Sequence, residues 1–499
     1  MSLLGIDIGT TGVKAAAFND RGEVLSYAYR EYAARYPRPG WVELDSRQVL
    51  QSIKAVISET AVAVSADPIS AICVSAMGEA ATPVDAEGRI LRDCILSSDT
   101  RGRQYAQHLD RTLGQRRVYR INPNVLSAAY TMPKLCWLRD NEPDIYERAD
   151  KFLLWDGMVA LALGCEPLVS YSHANRTLLF DIHRQGWSDD LLNVAGLDAA
   201  KLPRCLPAGA VAGEVSDAAA SELGLPARVK LVVGGHDQCC GALGAGVAAP
   251  GQAVDGIGTY ECITPVYDRI PDGEAMLSVG LNVEHHVVEG LYVSFLFNQA
   301  GSLVRWFRDT FAPERRDEAG IYDSLASEMP EAPTRLFTLP YFEPTGSPDY
   351  VADASGVIVG LKLSTTRGEI LKSIMESVTY YFADGLERLK ARGIAPTQFV
   401  ATGGGARSDA WLQIKADVYG APLARPKFTE CGLMGAAILA GQATGVLGPA
   451  AETARQWVSI DRRFTPDRQR HEIYARRLEM YRQLFPQMRA CGSGVSGIR

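Results

Sequence analysis

Leu3-Leu4-Gly5-Ile6-Asp7-Ile8-Gly9-Thr10-Thr11-Gly12-Val13-Lys14 opens the chain with an apolar run, a single acid and a turn of glycines and threonines. Leu3 to Ile8 reads as a buried strand with its one acid close to the end. Gly9 to Gly12 turns the chain and Val13 to Phe18 resumes as a second strand, the pattern of a β-hairpin. Asn19-Asp20-Arg21-Gly22 supplies the next turn, and a third strand starts at Glu23-Val24-Leu25. Glycines at a hairpin tip let backbone N–H groups approach a ligand closely. Phosphates need such donors and hydroxyls, and their magnesium needs a carboxylate. Asp7, Thr10 and Thr11 offer all of these within a few residues, so the tip reads as a phosphate cradle. An ordinary hairpin with a turn-capping Asp is the alternative.

The rest of the chain sets the scale. Its 499 residues allow two to four domains at about 150 residues each. Hydrophobic residues at 47% and charged residues at 22% are ordinary for a globular protein with a sizeable core. A net charge of -7 and the lack of a basic block argue against a nucleic-acid partner. Ten cysteines without metal-type spacing or a C-x-x-C motif read as reduced thiols. No stretch approaches the roughly 20 apolar residues of a membrane span, and the start lacks a secretion signal, so a cytoplasmic location is expected.

Two more glycine-punctuated segments lie far downstream. Residues 47–64 read as an amphipathic helix, and Ile69 to Ser75 as a buried strand running into Ala76-Met77-Gly78-Glu79. Lys230 to Val233 is another strand, followed by Gly234-Gly235-His236-Asp237-Gln238 and a small-residue helix over Cys239 to Val247. A carboxylate just past a buried strand, in a glycine-loosened loop, suits a general base for phosphoryl transfer. A helix N-cap is the plainer reading of Asp237, and the two roles can coexist.

Ala253 to Ile263 loosely echoes the opening hairpin around Gly258-Thr259, which implies two similar halves with a ligand between them. Thr366 and Glu369 form a capping box, and Ile370, Ile374, Val378 and Tyr381 carry the helix to about Lys390. Gln398 to Thr402 is a strand and Gly403-Gly404-Gly405 a turn. Ser408 caps a helix that Gly420 ends. Glycines between a strand and a helix N-terminus leave room for an adenosine moiety. Cys431 to Gly441 reads as a last small-residue helix, and Asp461 to Arg482 as a solvated one.

This ordered set resembles the actin-like ATPase superfamily and, within it, the FGGY carbohydrate kinases. Thr131-Met132-Pro133-Lys134-Leu135-Cys136-Trp137-Leu138 and Gly356 to Leu361 with Glu369-Ile370 and Ser373 to Glu376 also match that family's patterns. The resemblance covers nearly the whole chain. It implies an α/β fold of two ribonuclease-H-like (actin-like ATPase) domains with a central cleft. Residues 1–247 would carry the sugar site and phosphate hairpin, and residues 248–485 the nucleotide site.

It also implies ATP and Mg2+, with Asp7 near the metal. Gly9, Thr10, Thr11, Lys14, Gly258, Thr259, Gly404 and Gly405 would surround the nucleotide, and Asp237 would be the catalytic base. On the substrate side the resemblance points to Met77, Glu79, Asp99, Asp237 and Gln238. Xylulokinases carry glutamine-methionine-histidine-glycine where this chain has Ser75-Ala76-Met77-Gly78-Glu79, so the histidine is missing. Glycerol kinases carry arginine-glutamate there, and Gly78 replaces the arginine while Glu79 keeps the glutamate.

Gln238 resembles the glycerol kinase acid-glutamine pair, and Ser98-Asp99-Thr100-Arg101 the family's acid-x-arginine segment. A ketopentose such as xylulose and a linear polyol such as glycerol or erythritol both stay open. Tyr130, Trp155 and Tyr260 are candidates for an apolar wall, though aromatics at such places are core residues at least as often. Analogy suggests a homodimer. The rival class is an actin-like nucleotide-binding regulator, whose ATP hydrolysis would be indifferent to every sugar.

Overall fold

The computed structural model describes residues 1–351 and 355–492. The opening hairpin forms as the sequence predicts, from β1 (Ser2–Ile8) and β2 (Gly12–Phe18), and β3 (Val24–Glu31) extends it antiparallel. Next come α1 (Ser46–Ala63), β4 (Ile69–Ala76), β5 (Val211–Glu214), β6 (Lys230–His236) and α2 (Asp237–Gly244). β4 runs parallel to β1 and β6 parallel to β4, with β5 as an antiparallel edge. The order across this sheet is β5-β6-β4-β1-β2-β3.

The second half repeats the plan. It contributes β7 (Gln252–Ile257), β8 (Tyr260–Tyr267), β9 (Glu284–His285), β10 (Tyr292–Val293), β11 (Leu296–Gln299) and α3 (Gly301–Phe311). These are followed by α4 (Arg367–Lys390), β12 (Gln398–Thr402), α5 (Asp409–Tyr419), β13 (Leu423–Pro426), α6 (Cys431–Ala443), β14 (Ile460–Phe464) and α7 (Arg468–Gly492). The order is β9-β10-β8-β7-β12-β13-β14, with β11 also paired to β8. Each sheet thus has a central hairpin, two parallel strands beside it and an antiparallel edge strand. That shared connectivity is the duplication the two hairpins hinted at.

Both faces of the central strands β1, β2, β4 and β6 are buried, which explains their near-continuous apolar sequences. Side chains alternate across a strand. Leu4, Ile6 and Ile8 meet Val49, Ile53 and Val56 of α1. Leu3, with Ala71 and Cys73, joins the opposite core with Cys239 and Cys240 of α2 and Leu433 to Ala440 of α6. α6 therefore belongs by sequence to the second half but packs on the first sheet. Its approach is made by glycines: a Cβ on Gly5 would stand 2.1 Å from the Leu433 carbonyl oxygen.

Local signals held well in the second half. Thr366 and Glu369 make the capping box, Ser408 caps α5, and Gly420 ends it in the left-handed conformation. The charged tail differs from its reading. Ile460–Phe464 is an edge strand on β13, and α7 buries Tyr474, Leu478 and Tyr481 in the second core. The many charges around them on the outer face masked that apolar stripe. Among the described residues the nine cysteines seen are free, and no helix is long and apolar enough to cross a membrane.

Candidate active site

β1, β4 and β6 are parallel, so their carboxyl ends share one rim, where open α/β sheets bind ligands. Asp7 on β1 is in register with Ser75 on β4, and Ser75 with Gly235 on β6. The turns that follow carry Gly9–Thr11, Met77–Glu79 and Asp237–Gln238 to the same edge. Asp7 Oδ1 accepts a 2.6 Å hydrogen bond from the Ser75 hydroxyl, and burial pushes its carboxyl up.

α6 begins against this carboxylate. A Cβ on Gly432 would lie 2.8 Å from Asp7 Oδ1, so glycine lets the partly positive helix end reach the strand tip. Lys14, opposite Asp7 in the hairpin, pairs with Glu430 at 2.6 Å. At the tip Gly9 N donates to Gly12 O at 3.0 Å and the Tyr32 hydroxyl to Gly9 O at 2.7 Å. Thr10 and Thr11 stay exposed, and their N–H groups have no protein acceptor among the described residues.

The second hairpin is braced from behind. Gly301 N and Ser302 N at the start of α3 donate to Gly258 O (3.0 Å) and Thr259 O (3.1 Å), leaving both tip residues exposed. Below the tip, fully buried Lys415 of α5 reaches Asp255 at 3.0 Å and Glu261 at 2.5 Å, tying the two strands together. The glycine triplet packs on the end of β7. Cβ atoms on Gly403 and Gly405 would meet Ile257 at 2.7 and 2.3 Å, whereas Gly404 faces open space.

Asp237 is the first residue of α2, so the N-terminal reading and a place in the cleft coincide. Its Oδ1 accepts from Gln238 N at 2.6 Å and lies 3.4 Å from His236 Nε2. Burial, and then the charge of Asp7, push this carboxyl from the ordinary 3.8 up to about 7. Its side chain keeps 34% exposure, so the rim still reaches it. Across the cleft, Gln238 Oε1 is 4.0 Å from where a Gly256 Cβ would stand, and the His236 ring is 5.4 Å from Phe295. The carboxyl end of β6 thus faces the second half.

On the remaining side of the rim, Glu79 is buried with φ +63°, and its carboxylate binds Arg176 Nε at 2.6 Å. Arg176 also reaches Glu284 at 2.7 Å and lies 4.9 Å from the Tyr130 ring. Met77 N donates to Ile8 O at 2.8 Å, and its side chain is buried. Beneath this turn His173 bridges the Asp156 carboxylate (2.8 Å) and the Ala76 carbonyl (2.9 Å), which fixes the end of β4. Burial works against charge on that imidazole, yet Asp156 holds its pKa above the usual value.

Three residues fall elsewhere. Asp99 does not join the rim: its carboxylate, 0% exposed, is taken by Arg101 at 2.8 Å and Val42 N at 2.6 Å. Trp155 is fully buried core. Tyr260 stacks on Phe297 at 4.9 Å beside the second hairpin tip. The reading from sequence missed Ser75, Arg176, Glu284 and Gly432. Only Ser75, at the end of a predicted strand, had a local signal.

No group of three His, Cys, Asp or Glu side chains gathers as a metal cage among the described residues. One strand-end carboxylate beside unpaired N–H donors instead fits magnesium, which keeps its waters and shares phosphate oxygens.

Residues 2–244 match the N-terminal domain of the FGGY family of carbohydrate kinases, and residues 280–444 match its C-terminal domain. The glycerol kinase of Symbiobacterium thermophilum is 30% identical over 95% of this chain and 96% of its own. The xylulose kinase of Staphylococcus epidermidis is 28% identical over 97% and 96%. The crystal structure of the xylulose kinase of Rhodospirillum rubrum is 28% identical, superposes with a TM-score of 0.90, and covers 98% of this chain and 99% of its own.

Proposed function

The chain belongs to the FGGY family of carbohydrate kinases, and from that premise we propose that Asp237 takes the proton of the acceptor hydroxyl. The reaction is the ATP-dependent phosphorylation of a sugar or polyol hydroxyl. The match to both halves of a carbohydrate kinase disfavours the actin-like regulator. One observation carries the role of Asp237: it starts α2 on the rim shared with Asp7 and faces the second half.

In the proposed step the acceptor O–H proton passes to the Asp237 carboxylate as the oxygen bonds to the γ-phosphorus. The bond to the β–γ bridging oxygen breaks and ADP leaves. Asp7 would hold magnesium through water, and the ion would neutralise charge on the β and γ oxygens. Thr10 and Thr11 would donate to the phosphates from one hairpin and Gly258-Thr259 from the other, with Gly404-Gly405 against the adenosine. Glu79 and Gln238 would position acceptor hydroxyls. Closure of the halves would keep water from attacking the phosphate in place of the acceptor.

The acceptor class we propose is a ketopentose such as xylulose or a linear polyol such as glycerol or erythritol, since a xylulose kinase and a glycerol kinase each match over 95% or more of the chain. An ADP-release screen over ketoses, polyols and sugar acids tests this. The expected result is slow hydrolysis of ATP alone and strong stimulation by one neutral acceptor. Indifference to every acceptor would overturn the reading.

A base must be ionised to work. With the Asp237 carboxyl pushed up to about 7, kcat/KM should climb about tenfold per pH unit below that value and level off above it. An acid limb near the ordinary 3.8 would show that another group, or an unshifted carboxyl, governs the step.

A further inference from the structure

The feet of the second hairpin hold three charged groups out of reach of solvent. Asp255 on β7 precedes Gly258 by three positions, and Glu261 on β8 follows Thr259 by two. Lys415 of α5 meets both, and all three side chains are 0% exposed. Asp255 and Ile257 lie on one face of β7, and Glu261 stands opposite Ile257, so the two acids share that face.

The ammonium is fully used. It donates to Glu261 Oε1 at 2.5 Å and to the Tyr419 hydroxyl at 3.3 Å, and Asp255 Oδ2 lies 3.0 Å away. The rings of Phe382, Trp411 and Tyr419 close around it at 5.6, 5.7 and 5.6 Å. Burial works against its charge, yet the two carboxylates hold its pKa above the usual value.

The acids are not fully used. Among the described residues neither Asp255 oxygen nor Glu261 Oε2 has a hydrogen-bond partner, and no second cation lies within ion-pair distance of either group. Asn298, opposite Glu261 on β11, brings no charge. Two ionised carboxylates against one ammonium would bury a net negative charge, which is costly to desolvate. That charge would also lie beneath a turn that has to receive a triphosphate. One proton carried by Glu261 Oε2 and donated to Asp255 Oδ1 removes the excess and leaves Oδ2 to the ammonium. Burial, and then the charge of Asp255, push the Glu261 carboxyl well above its usual value against the pull of Lys415.

We propose that Lys415 is a positioning residue for the second phosphate hairpin, and that one proton shared between Asp255 and Glu261 keeps the cluster neutral beneath the nucleotide's phosphates. The cluster ties both strands to α5 and so fixes where the tip presents its N–H groups. This inference rests on Gly258-Thr259 as a phosphate contact.

The test is isothermal titration of the full chain with ATP and with adenosine, beside denaturant midpoints. Lys415→Met keeps the volume but loses the charge, and ATP should bind about 10–100-fold more weakly, the worth of one or two charged hydrogen bonds. Adenosine affinity should hold, because the glycine triplet is untouched; general loosening would weaken both ligands alike. Glu261→Gln copies the protonated acid and should match wild type in ATP affinity and midpoint. Lys415→Met/Asp255→Asn is neutral again and should regain most of the lost ATP affinity.

Unchanged ATP affinity in a folded Lys415→Met, or equal losses for ATP and adenosine, would overturn the positioning role. A Glu261→Gln that falls in midpoint would mean that both acids are ionised and would overturn the shared proton. Where Lys415→Met does not fold, Glu261→Gln and the double variant decide: a double variant that also fails to fold or to bind ATP overturns the charge balance. Thr259→Ala separates the two readings, with an expected loss of about tenfold in ATP affinity. No loss there would remove the hairpin from the phosphate site, whereas loss there with none in Lys415→Met would sink the positioning role alone.

Discussion

Asp237→Asn is expected to lower turnover by about 10²–10⁴-fold, the usual contribution of a positioned general base. Asparagine keeps the shape of the side chain and can accept the Gln238 N–H bond, which wild type makes at 2.6 Å, so the start of α2 is preserved. It cannot take a proton from an alcohol. Binding of ATP should be largely unchanged, because the proposed phosphate contacts lie on the two hairpins and the glycine triplet. Isothermal titration with ATP beside single-turnover kinetics would separate the two effects.

Stability offers a cross-check. A carboxyl whose folded pKa is raised contributes its stability below the unfolded value and loses it as pH rises through about 7. Above pH 7 the wild-type charge is therefore a burden that asparagine lacks, and the variant should melt no lower than wild type. Full activity in the variant would remove Asp237 from the chemistry.

Gly435→Ala is expected to cost about 3 kcal/mol of stability, the upper part of the range for overpacking a tight core. The new Cβ would stand 2.0 Å from the Cys240 carbonyl oxygen on α2. The reverse contact is as close, with a Gly244 Cβ 1.9 Å from Cys431 O. These are backbone atoms, so no rotamer change relieves the clash, and the helices must move apart.

Because α2 starts at Asp237 and α6 begins beside Asp7, that movement should also raise the KM for ATP. Gly448→Ala is the control, since nothing lies within 4 Å of its Cβ position. Denaturant midpoints of the two variants give the answer. A midpoint for Gly435→Ala equal to that of the control would contradict the packing of α6 on α2.

Much of the fold was legible because its signals are local. Asp7 to Gly12 specifies a tight turn by residue type, and the same holds for Thr366 with Glu369 and for Ser408 with Gly420. Each acts over a few residues, where steric and hydrogen-bonding rules apply whatever surrounds them. The place of Asp237 at a helix start was legible for the same reason, as an acid placed just past a strand. The tail was misread because its charges dominate composition, while Tyr474, Leu478 and Tyr481 face the core at helical spacing.

Sequence alone, then, determined two hairpins, an acid near the end of β1 and another just past β6, and the family they resemble. Tertiary structure decided which side chains share the rim. Asp99 has the residue type of a substrate ligand, yet Arg101 two positions away consumes it. Arg176 lies about a hundred positions from Gly78, yet it fills the space that glycine leaves and meets Glu284 from the second half. α6 reaches back across more than four hundred positions to lie on β1. Contacts of that range depend on where two sheets and their helices come to rest, and residue order along the chain carries no direct record of it.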